Sequence, residues 1–283
     1  MPELPEVEFV ARQLQRELPG RRIVSAAVSW ARSIRDMDSR DFERRVAGQV
    51  VTHVSRRGKH VLLALDGGDV LIVHRRMSGN LYVSPPAPED AYTRVGFLLD
   101  DGRRLLYSDP RKFGRLALVA ASELSATFAN LGPEPLAPEF TPGVLAARLA
   151  GTYRAIKAAL LDQSLVAGLG NIYADESLFR AGIHPLRPAS SLAGAEVEAL
   201  WGGIRGALEM GIAHGGTTFG RHRDAYNEAG TNLEYLDVYR RTGQPCRRCG
   251  TPIQRIVVAQ RGTHFCPHCQ AAAGPPLERP AST

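Results

Sequence analysis

The sequence predicts an α+β fold, with strands gathered in the N-terminal half and helices in the C-terminal half. Between Arg21 and about Val119, short β-prone runs alternate with tight-turn residues. After a cluster of prolines, the apolar residues take helical spacing instead. A small third module is marked by cysteines, since all four in the 283 residues fall in two C-x-x-C pairs near the C-terminus.

In chain order, Glu6, Val7, Val10, Leu14 and Leu18 space an N-terminal helix that Pro19-Gly20 ends. The runs 50–54, 61–65, 70–73, 95–99 and 116–119 read as strands, with Gly67-Gly68 and Asp101-Gly102 at hairpin spacing. One short helix, Ser39 to Ala47, interrupts them, with Ser39 as its cap. Many short strands joined by tight turns predict a β-sandwich or barrel over residues 1–132. Pro133, Pro135, Pro138 and Pro142 then mark a hinge. Helical patterns follow near 142–150, 155–166, 172–182 and 192–214, in a second domain spanning 133–237. That domain closes on residues 215–237, rich in Gly, Thr and Asn and without periodicity, which read as a long functional loop. The tail, 271–283, reads as disordered.

The cysteine module occupies 238–270. Cys246 and Cys249 form one pair, Cys266 and Cys269 the other, and residues 250 to 265, sixteen of them, lie between. This is the spacing of a tetrahedral Zn²⁺ site, and four thiolates leave no open position, so one structural zinc is expected. The alternating residues 253–260 and 262–265 look like the two arms of a zinc-ribbon hairpin carrying Arg255, Arg261 and His264.

A net charge of +6 and a pI near 9.4 suit a polyanionic partner, and arginine pairs are dispersed along the chain rather than gathered in a tail. No apolar run approaches the ~20 residues needed to cross a membrane, and no leader pattern opens the chain, which predicts a cytoplasmic protein.

The start, Met1-Pro2-Glu3-Leu4-Pro5-Glu6, carries the sharpest chemistry. Removal of Met1 leaves a secondary amine followed at once by a carboxylate. An α-amine has a pKa near 8, so roughly a tenth of it is nucleophilic at neutral pH. Condensed with a sugar aldehyde, a secondary amine becomes a charged iminium, an electron sink, and Glu3 lies within reach as acid or base. A helix beginning immediately afterwards would hold the amine in place.

This opening resembles that of the formamidopyrimidine-DNA glycosylases, and separated motifs extend the resemblance to Cys269. Val166-Ala167-Gly168-Leu169-Gly170-Asn171 looks like their helix-two-turn-helix, whose two glycines and helix N-terminus suit an anion. There Asn171 is implied to grip phosphate, though its type also suits a helix cap. Lys157 just upstream is implied to contact the DNA backbone near the damage. The hairpin lysine Lys59, an ordinary turn residue by spacing alone, falls where the family places a phosphate-binding lysine that aids elimination. Arg261 at the tip of the zinc ribbon is implied to assist the second elimination. His74 and Met77 in His74-Arg75-Arg76-Met77-Ser78-Gly79-Asn80, and Arg111 and Phe113 in Asp109-Pro110-Arg111-Lys112-Phe113-Gly114, complete the match. Extracting a base leaves a gap costing a few kcal/mol, which a flexible apolar side chain, a guanidinium and an aromatic ring would refill. Met77 and Phe113 are equally what core residues look like.

The resemblance implies an N-terminal β-sandwich, a helix-two-turn-helix domain and a zinc finger. It further implies N-glycosylase and AP-lyase action on 8-oxoguanine and formamidopyrimidines through a Pro2 Schiff base, with Glu6 supporting the lesion or a water. The partner would be double-stranded DNA, bound by a monomer associated with the nucleoid. Departures are specific. Arg75-Arg76 stands where an apolar residue and glycine are common, Tyr92 where a DNA-contacting histidine is expected, and 220–226 is unusual within the loop implied to cap the base. Two alternatives are an endonuclease VIII-like glycosylase for oxidised pyrimidines and a zinc-ribbon DNA-binding protein without catalysis. Leu4 and the Arg111-Lys112-Phe113 run argue against the first, and Pro2-Glu3 against the second.

Overall fold

The computed structural model describes residues 1–85, 90–220 and 223–272. Within these the chain gathers into two packing units: Met1–Glu134 with Leu208–Tyr235, and Pro135–Ala207 with the chain from Leu236 on. These units cut the chain differently from linear domains, because 208–235 returns to the first.

The first unit opens with helix α1, Leu4–Glu17. Pro5 fits its first turn, where a missing N–H costs nothing, and a reciprocal capping box joins Glu3 to Glu6. The helix buries Leu4, Val7, Val10, Ala11 and Leu14, the apolar stripe read from the sequence. Two four-stranded antiparallel sheets follow. One, in the order β1-β6-β7-β5, is built from Ile23–Val28, Thr93–Leu99, Arg104–Ser108 and Asn80–Ser84. The other, β2-β3-β4-β8, is built from Val51–Arg57, His60–Leu65, Asp69–His74 and Arg115–Ala120. Alternate residues such as Val61, Leu63, Leu71, Val73 and Leu116 join Phe97, Leu105 and the α1 stripe in one core. Helix α2, Ser39–Val46, adds Phe42, whose ring meets Phe97 edge-on. Its cap is Asp38, not Ser39: the Asp38 carboxylate accepts the Arg40 N–H at 2.8 Å. A short helix α3, Leu124–Thr127, covers part of the outer face.

The second unit holds α4 (Pro142–Leu149), α5 (Ile156–Leu160) and α6 (Asn171–Ala181). Helix α7, Gly194–Ala213, begins there and runs into the first unit. A hairpin of β9 (Gln254–Val258) and β10 (Arg261–Phe265) completes the second unit. Its turn is Ala259-Gln260, both left-handed, so Arg261 opens the returning strand rather than sitting at the tip. Of the predicted disordered tail, 273–283 lies outside the described residues, as do Arg221 and His222 of the long loop.

Candidate active site

The terminal amine lies among charges from three segments of the first unit. Burial lowers the pKa of the Met1 amino group, Glu3 and Glu6 oppose that shift, and Lys59 and Arg111 reinforce it. Pro2 itself is buried. An α-amine in this setting sheds its proton more readily than one in water. Four residues named from three separate motifs thus act on the amine at the chain start.

Glu6 has both carboxylate oxygens engaged. Oε2 accepts the Glu3 N–H at 2.7 Å, and Oε1 accepts the Thr217 N–H at 2.7 Å. Gly216, at φ +82°, makes the second contact possible, since a Cβ there would stand 2.7 Å from Glu6 Cγ. The long loop therefore begins against the N-terminal end of α1.

Lys59 occupies the two-residue β2–β3 turn behind Gly58, whose φ of +55° suits the first position of a hairpin turn. The turn is braced from below. Arg56 donates to Glu8 at 2.7 Å and to Glu134 at 2.5 Å, while Arg57 and the Gly58 N–H also reach Glu134. Lys59 is buried, unlike an ordinary turn lysine.

His74 ends β4, between His60 on β3 and Arg115 on β8. Its Nδ1 accepts the Arg76 N–H at 3.0 Å, which assigns the ring proton to Nε2. Burial, with His60 and Arg76 adding to it, lowers its pKa to about 3, so it is a neutral donor at physiological pH.

Met77 and Phe113 are not core residues: they are 51% and 48% exposed. The Arg111 guanidinium lies 4.8 Å from the Phe113 ring centroid. Both loops hang from Asp109, which is fully buried. Its Oδ1 accepts from Ser78 Oγ at 2.5 Å and from the Arg111 N–H at 3.2 Å, and its Oδ2 from the Gly114 N–H at 2.8 Å and Tyr107 Oη at 3.3 Å. Gly114 is obligatory, because a Cβ would fall 1.4 Å from Tyr107 Oη. Tyr92 is exposed beside this network, its carbonyl accepting the Asp109 N–H at 2.9 Å.

In the second unit, Asn171 is the first residue of α6, not its cap, which is Gly170. The Asn171 Nδ2 donates to the Gly262 carbonyl at 2.9 Å. Lys157 is fully buried, with Nζ 2.6 Å from Asp175 Oδ1 and donating to the same Gly262 carbonyl at 3.1 Å. Asp175 Oδ2 accepts the His264 N–H at 2.9 Å. The helix-turn-helix segment thus fixes the backbone next to Arg261, whose side chain is exposed.

The four cysteine sulfurs lie within 4.8 Å of one another, Cys246 to Cys269 at 4.0 Å and Cys249 to Cys266 at 3.5 Å. Tetrahedral zinc at 2.3 Å from each sulfur sets them about 3.8 Å apart, so the set fits the ion. Main-chain N–H groups of Arg248 and Cys269 point at Cys246 and Cys266 Sγ, each at 3.4 Å.

The roles of Asp109 and Asp175 were missed in the sequence. Only Asp109-Pro110 left a signal there, a turn pair, which says nothing of the four bonds the carboxylate accepts.

Residues 1–116 match the formamidopyrimidine-DNA glycosylase N-terminal domain, 131–222 the H2TH domain of the same glycosylases, and 243–272 a zinc finger found in FPG and IleRS. The formamidopyrimidine-DNA glycosylase of Symbiobacterium thermophilum is 52% identical over 95% of this chain and 89% of its own length. That of Herpetosiphon aurantiacus is 50% identical over 96% and 100%. Among solved structures, Lactococcus lactis Fpg in complex with DNA containing an abasic site superposes with a TM-score of 0.90 at 35% identity, covering 95% of this chain and all of that one. A Lactococcus lactis FPG mutant bound to a Fapy-dG containing DNA matches at the same score and identity over 96%. Among the described residues no helix is long and apolar enough to cross a membrane. With three matched domains, about half its residues shared with relatives over nearly the whole chain, and four cysteines gathered in the matched finger, the chain belongs to the formamidopyrimidine-DNA glycosylase family.

Proposed function

We propose that this chain excises 8-oxoguanine and formamidopyrimidines from duplex DNA and then cleaves the strand, using the Pro2 nitrogen as its nucleophile. The observation that carries the reading is Pro2 buried at the start of α1 beside the reciprocal Glu3–Glu6 capping box, with Lys59 and Arg111 near enough to the chain start to lower the pKa of the amino group before it. The neutral Pro2 nitrogen attacks C1′ as the glycosidic bond breaks, and the base leaves with a proton. Glu3 supplies a proton to the ring oxygen, which opens the sugar to an iminium. Loss of a C2′ proton then expels the 3′-phosphate, and a second elimination expels the 5′-phosphate. Lys59 and Arg261 are suited to hold those leaving phosphates, and His74, Lys157 and Asn171 to position the strand. Zinc on Cys246, Cys249, Cys266 and Cys269 supplies a fixed fold for the finger, with no part in the chemistry. Met77, Arg111 and Phe113 fill the vacated stack, with Arg111 facing the orphaned cytosine. The solved relatives bound to Fapy-dG and abasic DNA support this reading. The chain acts as a monomer in the cytoplasm, on the nucleoid.

Borohydride trapping on 8-oxoguanine duplex tests it. A covalent adduct mapped by mass spectrometry to Pro2 is expected, with the cross-link lost when Met1 is retained. An adduct on Lys59 instead would overturn the assignment, and stronger excision of thymine glycol than of 8-oxoguanine would favour the oxidised-pyrimidine class.

A further inference from the structure

Arg75 stands in the short run that departs from the family pattern, and it is the largest fully buried side chain among the described residues. Its guanidinium reaches three segments of the first unit at once. Nη1 donates to the carbonyl of Glu6 at 3.3 Å, at the start of α1. Nε donates to the carbonyl of Gly79 at 2.9 Å and Nη2 to Asn80 Oδ1 at 3.1 Å, closing the turn that bears Met77. Nη2 also donates to the carbonyl of Arg223 at 2.5 Å, in the other departing segment. Asn80 Oδ1 accepts the Arg223 N–H at 3.0 Å, so the two departures bind each other.

The next residues are strapped down in turn. Asp224 Oδ2 accepts from Gln13 Nε2 at 2.7 Å, and the Ala225 N–H donates to Gln13 Oε1 at 2.9 Å. The Ala225 carbonyl accepts the Val83 N–H at 2.9 Å, extending the edge of β5, and its side chain joins the core. Burying a guanidinium costs several kcal/mol unless its donors are satisfied, and an apolar residue would pack here without that cost. Burial does lower its pKa, to about 10, which still leaves it charged. A planar fork can bind carbonyls on several segments together, as a lysine cannot.

We propose that Arg75 is a positioning residue for base recognition: it holds residues 223–225 and the Met77 turn in one fixed relation to Glu6 before DNA arrives, and so sets which oxidised bases are accepted. This rests on the glycosylase reading above. Removing an intact base should need the arrangement, whereas cleaving an abasic site, with no base to recognise, should not.

The test uses the zinc-loaded full chain and three variants, Arg75→Met, Arg75→Lys and Asn80→Ala. Three measurements are made on each: excision of 8-oxoguanine and of formamidopyrimidine opposite cytosine, strand cleavage at a preformed abasic site, and amide exchange at residues 223–225. Arg75→Met should lose about tenfold or more in kcat/KM for excision and change the ratio between the two lesions, with abasic cleavage kept within about twofold. Exchange at 223–225 should rise, Arg75→Lys should recover little, and Asn80→Ala should move the same readouts by a smaller factor. Equal losses on base-containing and abasic DNA would reduce Arg75 to a general fold element, and an unchanged lesion ratio with unchanged exchange would remove the role altogether. If Arg75→Met does not fold, Asn80→Ala decides by the same criteria. A parent chain that leaves both lesions and abasic sites untouched would sink the glycosylase reading instead, while exchange at 223–225 would still report on the strap.

Discussion

Asp109 sets the places of three exposed side chains while touching none of them. Its carboxylate accepts from Ser78 beside Met77 and from main-chain N–H groups on either side of Phe113. These two loops are therefore held in the absence of DNA, and the cost of ordering them falls on folding rather than on binding. For Arg111 this gives a definite expectation. A guanidinium in the vacated stack offers a donor fork that fits the acceptors of cytosine and meets the amine of adenine. Arg111→Ala should lower discrimination for cytosine by about 1–3 kcal/mol, with a smaller fall in general affinity. Excision of 8-oxoguanine opposite each of the four bases, at one salt concentration, measures it. If the parent's cytosine preference survives, Arg111 does not read the opposite base. Met77, Arg111 and Phe113 stood out through the resemblance, since by residue type alone Met77 and Phe113 suit a core equally well. Asp109 did not, because a carboxylate that binds main-chain N–H groups imposes no spacing on its neighbours.

Among the elements, the strands that the sequence marked are β2, β3, β4, β6 and β8, which carry runs rich in β-branched and large apolar residues. The missed ones are β1, β5 and β7, each with small or polar residues; β1 and β5 pair with strands distant in sequence, and β7 is short, though a tight turn joins it to β6. Helix α5 was expected to run to 166 but ends at Leu160, because Asp162 turns the chain by accepting the Ser164 N–H at 2.9 Å. The elements of the second unit also hide an ion pair with consequences. Lys157 on α5 and Asp175 on α6 are both without solvent exposure, 2.6 Å apart. Lys157→Met should destabilise this unit by about 3–5 kcal/mol by stranding a buried carboxylate, and Lys157→Met with Asp175→Asn should recover part of it. Thermal unfolding of the two variants measures the difference. A double variant no more stable than the single one would show that the pair is not what holds α5 to α6.

For the whole molecule, the zinc finger is tied to the helical elements rather than hanging free. Phe179 of α6 packs with Val238, Ile253, Cys246 and Cys266 in one apolar cluster. Chelating zinc, or changing Cys249 to Ser, should weaken binding to lesion duplex by tenfold or more, since binding free energy here is also folding free energy, on the order of 10 kcal/mol for a structural site. The first unit, with its own core, should stay folded, as followed by exchange of β3 and β4 amides. Metal analysis finding no zinc, or affinity unchanged after its removal, would contradict this. The paired cysteines were plain in the sequence because metal geometry demands fixed spacing. The surroundings of the amine were not, because Lys59 and Arg111 reach it only through the tertiary fold.

The return of residues 208–235 to the first unit also orders events in time. A ribosome finishes residue 134 well before residue 235, and the 101 residues between them take about 5–20 s at ~5–20 residues per second. During that interval the sandwich and α1 are made while Thr217 is still to come, so the main-chain N–H that Glu6 Oε1 accepts is added to a unit whose other parts are complete. The first unit is thus finished out of order, its last segment closing on the helix with which the chain began.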